Sequence, residues 1–258
     1  GKIMEPTFLL QRLEEIGRSL ERSEHALALI GLGSVGMELH RLDAYSDLDF
    51  FAIVEPGYKQ QYLRDLAWLT DLGPAAYYFQ NTADGYKFLY ADGVFCEFAV
   101  FEPAELETAV YSPGRLVWKH PAILQDWSQP IRLPKPSLSV RHDPAWLLGE
   151  ALTNLYVGLG RDRRGEKLTA SRFIQVYALD RLLDWIDQSS AAANAPRDTF
   201  DIHRRFEQRF PDFAQSLPAM QQGYKRNRQS ALAILAFLEG HCQVPPAMAA
   251  AIRILAAE

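Results

Sequence analysis

Between Ser128 and Ser137 the chain places prolines at 130, 134 and 136, and the character of the sequence differs on the two sides. Proline fixes the backbone and removes a hydrogen-bond donor, so three within seven positions favour a linker over a helix or a central strand. Before it, short apolar runs alternate with glycine-containing turns. After it, no strand-like alternation recurs and apolar residues return at three-to-four spacing. This division predicts an α+β domain over residues 1–133, a mixed sheet with flanking helices, followed by a C-terminal helical bundle over 141–258.

Within the first part, Phe8, Leu9, Leu13, Ile16 and Leu20 mark an amphipathic helix entered at Pro6. Strands are expected at 26–30, 47–54, 75–79, 86–90, 94–101 and 122–124. Short helices are expected at 34–42, 58–72 and 104–110. Asp92-Gly93 is a tight-turn pair, so the strands around it should run antiparallel. In the second part helices are expected at 146–159, 167–186, 230–238 and 246–255.

Two carboxylates carry the chemistry. Asp47 and Asp49 sit two apart at the head of an apolar run, Leu48-Asp49-Phe50-Phe51-Ala52-Ile53-Val54. Alternate strand residues share a face, so both acids leave the sheet on one side while Leu48 and Phe50 turn to the other. Like charges about 6–7 Å apart at the backbone repel unless a positive group lies between them. A hard divalent cation such as Mg²⁺ meets that need, commonly with substrate phosphates completing its shell. Upstream, Gly33 and Ser34 follow a strand and open a helical piece, where exposed backbone N–H groups attract phosphate. A third acid, Glu97, interrupts Val94-Phe95-Cys96-Glu97-Phe98-Ala99-Val100-Phe101. A charge in such a run is costly unless paired or coordinating, so convergence of three carboxylates is the expectation. Cys96 beside it reads as a small core residue.

Leu32-Gly33-Ser34, a spacer, and Asp47-Leu48-Asp49-Phe50 resemble the signature of nucleotidyltransferases of the DNA polymerase beta superfamily, with Glu97 matching the third acid on a later strand. The chain is similar in organisation to the lincosamide and aminoglycoside nucleotidyltransferases. Tyr45-Ser46 before the acids, and Asn154 to Gly158 running into Arg164-Gly165-Glu166-Lys167, add to the likeness. The resemblance implies a nucleotidyltransferase-type sheet domain and transfer of a nucleoside monophosphate from a triphosphate, usually ATP, to a small-molecule hydroxyl. Such an acceptor is a lincosamide or aminoglycoside antibiotic. It implies Mg²⁺ held by Asp47, Asp49 and Glu97, with Glu97 as third ligand or as the base. It further implies triphosphate contacts from Gly33 and Ser34, and an active site in a cleft between the two parts. Arg161, Arg163, Arg164, Lys167 and Arg172 form the densest basic cluster, and Arg164 and Lys167 are the expected phosphate contacts from it.

Other readings compete. Gly31, Gly33 and Gly36 satisfy the dinucleotide-binding glycine pattern, with Glu55 placed where a ribose-binding acid would sit. A short connecting helix, the downstream hairpin, and two acids left without a role count against an NAD enzyme. A catalytically silent relative with an antitoxin-like regulatory role is a further alternative, against which all three acids are present. Arg197 and His203 have a spacing that resembles ribonuclease toxins, but Arg197 falls in an alanine-rich loop. The net charge of −5 disfavours a nucleic-acid partner. No apolar run reaches bilayer length, so no membrane partner is expected. Two cysteines, no metal-knuckle spacing and no charged-then-apolar start at 1–6 point to a cytoplasmic protein. The expected partners are a nucleoside triphosphate and a hydroxyl acceptor, with a homodimer allowed.

Overall fold

The computed structural model describes residues 5–135, 141–198 and 200–257; the expected linker therefore lies partly outside the described residues, at Pro136 and Ser137. The chain folds into two compact units, Gly1–Pro134 and Lys135–Glu258.

The first unit is built on a mixed six-stranded sheet. Its strands are β1 (Ala26–Leu32), β2 (Leu48–Val54), β3 (Ala75–Thr82), β4 (Gly85–Tyr90), β5 (Phe95–Phe101) and β6 (Arg115–Lys119). The spatial order is β3-β4-β5-β2-β1-β6. All neighbours are antiparallel except β2 and β5, which run parallel.

One sheet face lies against α1 (Pro6–Arg22). Leu9, Leu13, Ile16 and Leu20 of α1 share a buried cluster with Leu29, Leu48, Phe50, Cys96, Phe98 and Val100. On the opposite face Ala28, Ile30 and Ile53 cluster with Leu106 and Tyr111. These two covers explain the sequence of β2. It alternates at Leu48-Asp49-Phe50, where only the α1 face is covered, and becomes continuously apolar at Ala52-Ile53-Val54, where both faces are buried.

Several elements differ from expectation. The stretch 34–42 forms two short 3-10 turns, Gly33–Val35 and Leu39–Arg41, rather than a helix. The stretch 58–72 is broken into α2 (Lys59–Arg64) and α3 (Ala67–Thr70), because Asp65 turns its carboxylate back to accept from the Ala67 N–H. The segment after β5 is a 3-10 turn, Pro103–Glu107. The expected strand at 122–124 is irregular, and the sixth strand is instead β6.

The second unit is helical among its described residues. Its long elements are α4 (Pro144–Arg163), α5 (Lys167–Arg172) continuing through a π-helical Phe173–Ala178 into α6 (Leu179–Ser189), and, after three single-turn helices, α10 (Asn227–His241) and α11 (Pro246–Ala256). The single turns are α7 (Phe206–Arg209), α8 (Pro211–Ala214) and α9 (Leu217–Met220). Leu155, Leu159, Ile174, Leu182, Ile234, Leu238 and Ile252 belong to one core. No helix among the described residues is long and apolar enough to cross a membrane.

Candidate active site at the end of the sheet

The turn after β1 is shaped by its glycines. A Cβ at Gly31 would lie 2.5 Å from the Val35 carbonyl oxygen, and one at Gly36 would lie 2.6 Å from that of Gly31. Only glycine lets this segment fold back so tightly on the strand end. The Gly36 and Glu38 N–H groups both donate to the Gly33 carbonyl at 3.0 Å, and Arg115 Nε donates to the Val35 carbonyl at 3.2 Å. Gly33 is different. Its φ is +54°, a left-handed value, and the one atom near its absent Cβ is Asp49 Oδ2 at 3.7 Å. The segment is thus a single 3-10 turn rather than a helix N-terminus, and no helix dipole is available to hold an anion. What it offers is exposed backbone without a side chain beside a carboxylate.

The first and third positions of the dinucleotide-like glycine pattern are accounted for by this packing. Moreover, β1 and β2 are antiparallel, whereas a dinucleotide site is built on a parallel βαβ unit.

Asp47 directly precedes β2, entered through a turn in which the Asp43 carboxylate accepts from the Tyr45 N–H at 2.8 Å and from the Ser46 hydroxyl at 3.2 Å. Asp47 and Asp49 are half-buried, while Leu48 and Phe50 are fully buried. Asp49 is paired in register with Leu32 on β1 and with Glu97 on β5. Residues at equal register share a face, so Asp49 and Glu97 stand on neighbouring strands of one face. Lys87 of β4 is in register with Glu97 on that same face, its Nζ 3.9 Å from Glu97 Oε2.

Asn81, at a β3 irregularity between Gln80 and Thr82, donates its amide to Glu97 Oε1 at 3.4 Å, while its own Oδ1 is buried without a hydrogen-bond partner. Bulges commonly re-aim a side chain in this way. Cys96, opposite Leu48, is fully buried. Burial raises its thiol pKa; Arg12 opposes the rise, and the nearby charges of Asp47 and Asp49 add to it.

Among the described residues no three His, Cys, Asp or Glu side chains are arranged as a metal-holding group. Asp49 and Glu97 face the same side of adjacent strands, and Glu97 is also approached by Asn81 and Lys87 from the β3–β4 side. Asp47, Asp49 and Glu97 are oxygen donors of the kind that suits Mg²⁺, which is commonly held by one or two carboxylates plus substrate phosphates.

Arg164 and Lys167 lie in the second unit. Arg164 is exposed, with Nε 3.5 Å from Glu166. Lys167 Nζ lies 3.4 Å from Asp162 Oδ1, and Asp162 is buried. Burial alone would raise the Asp162 carboxyl, but hydrogen bonds from Asn227 and Arg228 and the charge of Lys167 outweigh it and hold its pKa below the ordinary value. Lys167 thus serves a buried acid within its own bundle. Arg197 donates to Asp187 at 2.9 Å, and His203 lies 3.2 Å from Asp184.

Sequence reasoning missed Lys87 and Asn81. The signal for Lys87 was present: counting back from the Asp92-Gly93 turn places Lys87 opposite Glu97. Nothing local marks the irregularity that turns Asn81 inward. On the same face, Tyr77 and Phe79 of the edge strand are 61% and 44% exposed, with ring centroids 6.0 Å apart, and Phe79 is in register with Lys87.

No family model matches the chain, and no curated protein does. Seven solved chains match. One is the crystal structure of an aminoglycoside 6-adenyltransferase from Bacillus subtilis, 13% identical, covering 95% of this chain and 90% of that one, with a TM-score of 0.33. A likeness at that level identifies neither a fold nor an activity, and the α+β assignment rests on the sheet and helices themselves.

Proposed function

We propose that the chain is a nucleotidyltransferase that moves a nucleoside monophosphate from a nucleoside triphosphate, ATP first among them, to a hydroxyl of a small molecule. The observation that carries this reading is the adjacency of Gly33 and Asp49. The turn with no side chain opens onto the carboxylate, so a phosphate group and its counter-charge can both approach there. The sequence likeness of Leu32-Gly33-Ser34 and Asp47-Leu48-Asp49-Phe50 to that superfamily supports it independently.

In this reading Asp47 and Asp49 hold Mg²⁺, which when bound neutralises charge on the triphosphate oxygens. The acceptor oxygen bonds to the α-phosphorus, the bond to the bridging oxygen breaks, and pyrophosphate leaves. Glu97 takes the proton of the acceptor hydroxyl. Lys87 places a positive charge beside the Glu97 carboxylate, and Asn81 donates to it and fixes its orientation. Gly33 and Ser34 line the phosphate end. Such a reaction depends on positioning and charge neutralisation more than on covalent chemistry.

A lincosamide or an aminoglycoside antibiotic is the acceptor class to test first. The full chain is incubated with Mg·ATP labelled at the α-phosphate and a panel of both classes, and products are read by mass. Gain of one adenylyl group on a panel member is expected. Asp47→Asn and Asp49→Asn should each lower the rate on the order of 10²-fold or more. Turnover retained in the double variant would sink the reading.

A further inference from the structure

The second unit holds a cavity of about 330 Å³ lined by Arg141, Asp187, Gln188, Arg197 and Arg209. Three guanidinium groups face one carboxylate. Asp187 accounts for part of this charge, accepting from Arg209 Nη2 at 2.5 Å and from Arg197 Nη2 at 2.9 Å. Arg209 is buried, with 4% of its surface exposed, and its Nη1 donates to the Ile202 carbonyl at 3.1 Å. Its Nε is buried without a hydrogen-bond partner. An orphaned N–H on a buried cation is costly, and a structural clamp on Asp187 does not require one. Gln188 accepts from the His142 N–H and donates to the His142 carbonyl, both at 2.9 Å, which fixes the backbone that carries Arg141 to the rim.

We propose that this cavity is a binding site for the phosphate group of a small organic phosphate. Cations outnumber anions in the lining, the sign of charge that suits a phosphate monoester, itself at about −1.5 to −2 near neutral pH. Guanidinium groups are suited to this ligand, because their paired N–H groups meet two phosphate oxygens at once. The volume exceeds what bare phosphate fills and falls within the range of small-ligand pockets, leaving room for the organic part. The site lies in the helical unit, uses none of the acids assigned to nucleotidyl transfer, and stands or falls apart from that reading.

The test is calorimetric titration of the full chain with inorganic phosphate near neutral pH at low salt, with acetate as a singly charged comparison. Arg141→Gln and Arg197→Gln are the informative variants, since both side chains lie at the exposed rim; circular dichroism confirms that they fold. Saturable phosphate binding is expected, at least tenfold weaker in each variant and unchanged in the Asp47→Asn, Asp49→Asn double variant. Three results would overturn the assignment. The first is no heat at phosphate concentrations of about 10 mM, the range of only very weak binding. The second is binding that survives both arginine substitutions or disappears in the double aspartate variant. The third is acetate binding as tightly as phosphate.

Discussion

Gly33 combines a left-handed backbone with an absent side chain beside Asp49, and the two properties have separable consequences. Gly33→Ala forces an L-residue into a conformation that costs roughly 1–2 kcal/mol and puts a methyl group beside Asp49. A small drop in melting temperature with, under the proposed activity, at least a tenfold higher KM for the triphosphate is expected; an unchanged KM would show that the space at Gly33 is not used. Gly85 is a purely packing case. A Cβ there would lie 1.8 Å from the Phe98 carbonyl oxygen on the neighbouring strand, so Gly85→Ala should destabilise the first unit by about 2–3 kcal/mol in urea titration. The alternation of Asp47, Leu48, Asp49 and Phe50 could be read from sequence because a strand has period two and one face was already apolar. The position of Lys87 could have been counted from the hairpin. The inward turn of Asn81 could not, since an irregularity of strand register leaves no local mark in composition.

At the level of elements, legibility followed residue pattern more than burial: the exposed edge strand β3 was expected from its apolar run at 75–79, and the less exposed β6 was not. α1 and α6 show strong three-to-four spacing because one face of each meets a core. β6 escaped notice because its apolar run, Leu116-Val117-Trp118, is only three residues long and is closed by Arg115 and Lys119. The break between α2 and α3 was hidden because Tyr62, Leu63, Leu66 and Leu69 keep helical spacing across it.

The tie between α6 and the segment around His203 yields a prediction. The hydrogen bond to Asp184 raises the His203 pKa; burial opposes it, and the charges of Asp180 and Asp184 reinforce it. Folding therefore favours the protonated ring. The stabilisation is complete below the ordinary histidine value of about 6.5 and is lost as pH rises through the raised folded value. Thermal melts should show His203→Gln well below the parent chain at about pH 5.5 and closer to it at about pH 8.5. A gap that stays constant across this range would exclude the linkage.

At the scale of the whole molecule, the two units have separate cores: the buried clusters of the first share no residue with that of the second. Leu29 and Ile234 are both fully buried, one in each. Replacing either with Ala should cost about 2–5 kcal/mol in its own unit. Versions of the chain retaining only Trp68 or only Trp185 can report the two units separately, because each ring packs in or against one core. Leu29→Ala should shift the Trp68 denaturation midpoint and leave that of Trp185 in place, and Ile234→Ala should do the reverse. Coincident shifts in both probes would show that the chain unfolds as one cooperative body.

The single parallel seam in the sheet carries a consequence for how the chain acquires competence. β3, β4 and β5 form a meander of near neighbours, whereas β2 against β5 and, over a still longer stretch of chain, β1 against β6 join segments far apart in sequence. Pairings so distant in sequence are slow to close. Asp49 and Glu97 stand on opposite banks of that seam. During refolding the protein should regain most of its circular dichroism before the proposed nucleotidyl transfer appears, so that activity becomes the clock for closure of these distant pairings.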